Sequence, residues 1–319
     1  RNLVMKREWG GIYPAIMVPL NDDYSINEKE FNNYIDWLLK YADKGIAGLV
    51  TNGHTGEITG FSNEERAHIT KLAADRVKGK VKIVSGVCAE GTFDAINQAK
   101  AAEAAGADAI LLMPPHLWLR FGIKPEGALK FVKDVAEAIN IKIFIHLYPS
   151  NTKSFYPIDL LLEMCKIPNV VAVKMGTRDM PLYERDVRIL REKAPDITLL
   201  TCHDENVLST MIQGVDGALI GFSGCVPELI TPLYKAIIID EDLKEGKKIN
   251  EKLFAAAQGI YGIGEPTGEA HARMKEFLVQ RKVFSSPLMR PPLMPLNQHE
   301  IDVVTKALAD SGVEKVNLV

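Results

Sequence analysis

Over roughly its first 240 residues the chain alternates short, continuous apolar runs with amphipathic segments, and the cycle recurs eight times. The apolar runs lie at 11–18, 46–50, 81–85, 109–113, 141–145, 170–173, 197–201 and 217–220. Helix-like segments follow each run: 26–41, a second opening at Ser62, then 92–105, 125–139, 158–165, 182–193, 206–213 and 227–239. In the first of these, Phe31, Tyr34, Ile35, Leu38 and Leu39 fall on one helical face. Ser62 with Glu65 three residues later has the form of a capping box. The strand runs are apolar at consecutive positions, not alternate ones, which suits parallel strands covered on both faces. Eight strand–helix units allow a closed barrel or an open doubly wound sheet. No G-x-G-x-x-G follows the first strand, so the usual mark of a dinucleotide-binding sheet is missing. Gly-Ala-Asp at 106–108 and Gly-Val-Asp at 214–216 read as paired helix stops and strand starts. The expected fold is α/β, a (β/α)8 TIM barrel.

The alternation ends near Asp240. Segments 243–260, 269–284 and 300–311 all read as helices, with Pro287, Pro291, Pro292 and Pro295 before the last. The expected organisation is therefore a barrel over 1–240 and a C-terminal helical region over 241–319. The second part is read as a cover for barrel surface or as a subunit contact.

Composition narrows the function classes. A net charge of −3, with no basic run and no aromatic–basic interleave, speaks against a nucleic-acid surface. No stretch approaches the roughly 20 apolar residues of a membrane span, and the patch Leu3-Val4-Met5 is too short for a leader's apolar region. Cys88, Cys165, Cys202 and Cys225 show no C-x-x-C spacing, which fits a reduced, cytoplasmic setting.

In such barrels the chemistry sits at the C-terminal ends of the strands. Lys174 ends the sixth run, and the four apolar residues before it hold the base of its side chain out of water. Such a setting is expected to favour the free amine as a nucleophile. Taken alone, Lys174 reads equally as a surface lysine just past a strand. Four of the seven histidines, His54, His116, His146 and His203, lie at or just past strand ends. Their clustering points to proton transfer near neutral pH or, alternatively, to a metal centre, although no H-x-H or E-x-x-H pair is present. The turn 51–57 carries small residues and backbone donors that could hold a carboxylate, with Thr55 and Gly56 as its candidates; Gly221-Phe222-Ser223-Gly224 after the eighth strand could do the same, beside Leu219 of that strand. Tyr148 shares the parity of His146, so both are expected to face the barrel interior.

These residues together resemble the dihydrodipicolinate synthase/N-acetylneuraminate lyase family. Gly53-His54-Thr55-Gly56-Glu57 resembles its G-T-T-G-E turn, Leu112-Met113-Pro114-Pro115 its fourth strand end, and Val171-Ala172-Val173-Lys174 the strand carrying its Schiff-base lysine. Tyr148-Pro149-Ser150-Asn151-Thr152 lies where the family has Y-N-x-P-x-x-T. The resemblance implies a TIM barrel, a homotetramer, no cofactor, and a lysine that condenses with pyruvate or another 2-keto acid. It also exposes departures. Matched without gaps, the family's relay hydroxyls fall on His146, His54 and His116, so His146 is expected as the relay; a match with a gap would keep Tyr148. The arginine that dihydrodipicolinate synthases use for the second substrate's carboxylate is Asn151, and the glycine of the seventh-strand G-D-[DE] segment is His203, so both are expected to line an altered pocket.

The expected enzyme is thus a Schiff-base lyase, an aldolase or dehydratase, acting on pyruvate or a 2-keto-3-deoxy acid and distinct from a true dihydrodipicolinate synthase. Catalysis is expected from Lys174, His146, His54 and Tyr148. Substrate contacts are expected from Thr55, Gly56, His116, Asn151, His203 and Leu219. The bulky segment His116-Leu117-Trp118-Leu119 suggests an apolar or aromatic aldehyde portion. Two other readings stand beside this one: a metal-dependent lyase built on the histidines, and a non-catalytic keto-acid-binding homologue.

Overall fold

The computed structural model describes residues 7–262 and 266–319; the Leu3-Val4-Met5 patch lies outside them. The eight expected strands form one parallel sheet: β1 Gly11–Pro14, β2 Gly48–Thr51, β3 Lys82–Val87, β4 Ala109–Leu112, β5 Lys142–Leu147, β6 Val170–Met175, β7 Thr198–Thr201 and β8 Gly217–Ile220. Each strand pairs with its sequence neighbour, β1 also pairs with β8, and parallel bridges from Ile12 to Ile46 and Ala15 to Val50 close the ring. The helices between them are α1 Glu28–Leu39, α2 Asn63–Val77, α3 Thr92–Ala104, α4 Leu117–Phe121, α5 Pro125–Ala138, α6 Ile158–Cys165, α7 Met180–Lys193, α8 Val207–Met211 and α9 Pro227–Tyr234. The fold is the (β/α)8 TIM barrel, followed by α10 Leu243–Tyr261, α11 Gly268–Gln280 and α12 Gln298–Ser311.

Local chemistry explains most boundaries. Ser62 and Glu65 make the reciprocal capping box that starts α2. Asp108 and Asp216, which end the two Gly-x-Asp segments, accept the backbone N–H of Ile83 and Leu199 through their carboxylates, each at 2.8 Å. The recurring tripeptide therefore pins each helix exit to the start of the preceding strand. Three boundaries differ from expectation. The helix over 227–239 is α-helical to Tyr234 and becomes a π-turn from Lys235 to Ile239. The helix expected over 269–284 stops at Gln280, because Lys282 adopts a left-handed φ of 61°. The short α4 escapes a local reading because its first amides, His116 and Leu117, are held by the distant Glu90 carboxylate.

Two apolar layers result. One lies between sheet and helices. The other fills the barrel, with Tyr13, Val50, Val84, Leu111, Phe144, Ala172, Leu200 and Leu219 pointing inward. Trp9 and Tyr13 meet Phe144 edge-to-face at 5.6 and 5.4 Å between centroids and plug the lower end. The inward rows then change character toward the C-terminal ends. Phe144 pairs with Ala172 in register, and two residues on His146 pairs with Lys174. Among the described residues no helix is long and apolar enough to cross a membrane.

Candidate active site at the barrel mouth

Above that row lies a cavity of about 360 Å³. Its lining includes Gly53, His54, Thr55, His146, Tyr148 and Lys174, with Leu219 of β8. Lys174 is half-buried, and among the described residues it makes no hydrogen bond or ion pair, which leaves its amine open to a ligand.

Beside it sits a phenol between two imidazoles. Tyr148 Oη lies 2.8 Å from His116 Nε2 and 3.2 Å from His54 Nε2. A phenol has one proton to give, so one imidazole accepts it and the other donates its own Nε2–H to the phenolic oxygen. The result is a continuous hydrogen-bonded relay from His116 through Tyr148 to His54. Burial holds all three neutral: it pushes the His54 imidazolium down to about 3, helped by the positive Lys174, lowers His116, and raises the Tyr148 phenol well above 10. The expected imidazoles of ordinary basicity are therefore absent here. What the relay offers is proton exchange without a standing charge.

His146 stands apart. Its ring packs edge-on to Tyr148 at 4.7 Å and lies 5.7 Å from His54. Its Nδ1 is buried with no hydrogen-bond partner, and burial together with Lys174 keeps it well below its ordinary value. The group bonded to both flanking histidines is thus the Tyr148 phenol, a place in which the sequence led us to expect His146. Both side chains line the cavity, and only Tyr148 hydrogen-bonds to the two flanking histidines.

Other expected residues fare unequally. Thr55 is buried and lines the cavity, as does Leu219. Gly56 does not line it; a Cβ there would sit 2.8 Å from the Ile16 carbonyl, so its role is close packing of the turn. Asn151 is exposed and off the cavity, because the chain turns outward after Pro149. His203 is turned behind the wall: its Nε2–H donates to the Thr177 carbonyl at 2.6 Å and its Nδ1 accepts from Thr201. His116 reaches the site through Tyr148. Of the bulky segment 116–119, Trp118 is buried against Phe131 of α5, and Leu119 reaches the cavity.

The rest of the lining was not anticipated. It includes Arg178, Cys202 and Asp204, with Thr267, Gly268 and His271 from the start of α11. Arg178 has its five N–H groups engaged by Glu205, Gly176, Cys202 Sγ and the Cys202 carbonyl. Asp204 Oδ2 accepts the Phe222 amide and the Tyr261 hydroxyl. Behind the Thr55 turn, Glu57 forms a buried ion pair with Lys275 of α11 at 3.1 Å and accepts the Arg290 amide. The division at residue 240 thus separates secondary structure, while the site draws on both sides of it. Among the described residues no three His, Cys, Asp or Glu side chains are arranged to hold a metal ion.

Known proteins agree with this architecture. Residues 8–311 match the model of the Dihydrodipicolinate synthetase family. A 4-hydroxy-tetrahydrodipicolinate synthase of Bartonella bacilliformis is 29% identical over 96% of this chain and 99% of its own. An uncharacterized DapA-like lyase of Thermofilum pendens is 24% identical over 97% and 100%. Among solved structures, the E. coli K12 prophage protein YagE in complex with pyruvate superposes with a TM-score of 0.86 at 22% identity, over 95% of this chain and 98% of its own. The chain belongs to the dihydrodipicolinate synthetase family and is a lyase of the Schiff-base, class I aldolase type.

Proposed function

We propose that Lys174 is the imine-forming lysine, and that the enzyme acts on 2-keto acids hydroxylated beyond the keto group, 2-keto-3-deoxy acids, and is not a 4-hydroxy-tetrahydrodipicolinate synthase. The observation that carries this reading is the open Lys174 amine in a cavity shared with Thr55 and the Tyr148 relay.

The chemistry runs as follows. The amine adds to the C2 carbonyl, and the Tyr148 relay with His54 and His116 moves the protons needed to expel water and leave a protonated imine. The C1 carboxylate lies against Thr55 and the amides of its turn. The imine then withdraws electrons, so that a bond at C3 can break and leave an enamine. His146, neutral and with a free Nδ1, sits in register with Lys174, placed to handle protons near C3.

Two features speak against a second substrate bearing a carboxylate. Asn151 gives no cation to the cavity, and the guanidinium of Arg178 has no N–H left to offer. The rest of the lining instead presents Asp204, Thr267 and His271, which suit hydroxyl groups, with Asp204 repelling an added anion. A homotetramer and cytoplasmic residence belong to the same reading; Leu117, Phe121 and Ile123 leave apolar surface beside the mouth for a subunit contact.

Borohydride reduction in the presence of pyruvate, read by peptide mass spectrometry, is expected to fix one pyruvyl group on Lys174. No adduct with any 2-keto acid overturns the proposal, as does a Lys174→Ala enzyme with full activity. In the working enzyme that substitution is expected to lower kcat by roughly 10⁴-fold or more, the scale of losing a covalent nucleophile.

A further inference from the structure

We propose that Glu90, a residue outside the cavity, is a positioning residue for the relay: its carboxylate holds His116 where the Tyr148 phenol can exchange a proton with it. This rests on the reading of His116, Tyr148 and His54 as a relay that serves the Lys174 imine. The three members are not anchored alike. Tyr148 directly follows β5, and His54 lies in the turn after β2; both line the cavity. His116 lies outside that lining, beyond the Pro114-Pro115 pair, at the head of the five-residue α4.

Little in α4 itself keeps His116 in place. A helix of so few residues has no stability of its own in water. Its first amides have no partners within the helix, and the His116 side chain at the capping position makes no bond to them. Pro114 and Pro115 have no N–H with which to tie down the approach. Glu90 supplies the missing anchor from the loop between β3 and α3. Its Oε1 accepts the His116 amide at 3.1 Å and its Oε2 the Leu117 amide at 2.7 Å. One carboxylate bridging two consecutive amides fixes both the position and the tilt of the helix start, and its charge suits that end of the helix. Earlier on the same loop, Cys88 Sγ lies 3.8 Å from both ring nitrogens of His116. The loop therefore meets His116 at backbone and ring. At the other end of α4, Lys153 donates to the Arg120 carbonyl at 3.2 Å.

The ring so placed makes the shorter of the two bonds to the phenol, 2.8 Å against 3.2 Å from His54. A displacement of about 1 Å takes that bond beyond hydrogen-bonding range and leaves the phenol with one imidazole. Glu90 does not line the cavity, so its effect on the chemistry passes through His116.

Glu90 is exposed, so its variants are expected to fold, with thermal unfolding as the check. The rate of borohydride-trappable imine formation with pyruvate is expected to fall about 10–100-fold in Glu90→Ala. Glu90→Gln, which keeps one oxygen for one amide, should recover part of that loss. The discriminating measurement adds Glu90→Ala to a His116→Gln enzyme. With no imidazole left to position, the second substitution should change the rate by less than about twofold, whereas a general loosening of the mouth multiplies the two losses. A Glu90→Ala enzyme that traps pyruvate at the parental rate overturns the proposal, and so do equal factors in the two backgrounds. His116→Gln trapping at the parental rate overturns the relay reading beneath it. A parent enzyme without any adduct removes the Schiff base itself.

Discussion

The cavity at the barrel mouth and the shell just behind it contain the same kinds of buried ionisable group, yet they treat them differently. In the shell each such group is tied down. His203 uses both ring nitrogens, Lys275 is held by Glu57 and the Leu288 carbonyl, and Arg178, on the boundary, has its N–H groups engaged by Glu205, Gly176 and Cys202. In the cavity, atoms are left over: the Lys174 amine has no bonded partner among the described residues, and His146 Nδ1 is buried without one. Leaving a buried polar atom unpaired costs about 1–3 kcal/mol, so the fold retains it at a cost. A histidine in this protein is therefore not informative by type; what separates chemistry from scaffolding is whether its bonding capacity is already filled. The contrast predicts that changes in the cavity act on turnover and leave stability alone, and that changes in the shell do the reverse.

Tyr148→Phe tests the cavity side most sharply. It keeps the ring that packs on His146 and removes only the hydroxyl that joins His116 to His54. Turnover and the rate of borohydride-trappable imine formation should both fall by about 10²–10⁴-fold, with thermal unfolding nearly unchanged. His146→Gln should slow imine formation much less. The reverse ranking would return the relay to His146 and show that the observed hydrogen bonds do not carry the protons.

Much of this was legible in the sequence. Consecutive apolar runs, each followed by an amphipathic segment, demanded parallel strands covered twice, and Lys174 ended one of them. His54, His116 and His146 do converge. His203 was misread for a reason that parity exposes: Leu200 and Cys202 face inward, so the next residue faces out and Asp204 faces in again. The same alternation from Ala172 through Lys174 and Gly176 gives Arg178. His271 left no such signal. It lies 97 positions beyond Lys174 on a helix whose periodicity reveals an apolar face but not which barrel end that face meets. The Glu57–Lys275 pair, which ties α11 to the Thr55 turn, is equally non-local.

That pair is the shell's strongest test. Lys275 is fully buried, and burial pushes its ammonium down while Glu57 opposes the shift. Lys275→Met strands the Glu57 carboxylate, and removing one partner of a buried pair costs about 3–5 kcal/mol. Chemical denaturation should register that loss, while the pyruvate adduct still forms at temperatures where the variant is folded. A full loss of adduct in a stably folded Lys275→Met would mean that the pair tunes the site electrostatically, and the line between shell and cavity would dissolve.

The smallest effect is carried by His203, and it appears only on acidification. Burial holds its imidazolium down to about 3 in the folded protein, against an ordinary value of 6.5. Below pH 6.5 the unfolded chain takes up this proton and the folded one does not, so stability present above 6.5 is lost as the pH falls toward 3, by about 1.4 kcal/mol per pH unit for this one group. His203→Gln forfeits the bonds to Thr177 and Thr201 and should be the less stable protein at pH 7, by about 1–2 kcal/mol. It also lacks the titration. Urea unfolding of both proteins should therefore converge between pH 6.5 and 5 and cross below that, and subtracting the two curves cancels the carboxylates and the remaining histidines. Parallel curves would mean that His203 titrates normally in the native state, and then its two hydrogen bonds do not shield it. Imine trapping is expected to be unchanged throughout, as it should be for an imidazole that lies at a strand end, as His146 does, but on the far side of the wall.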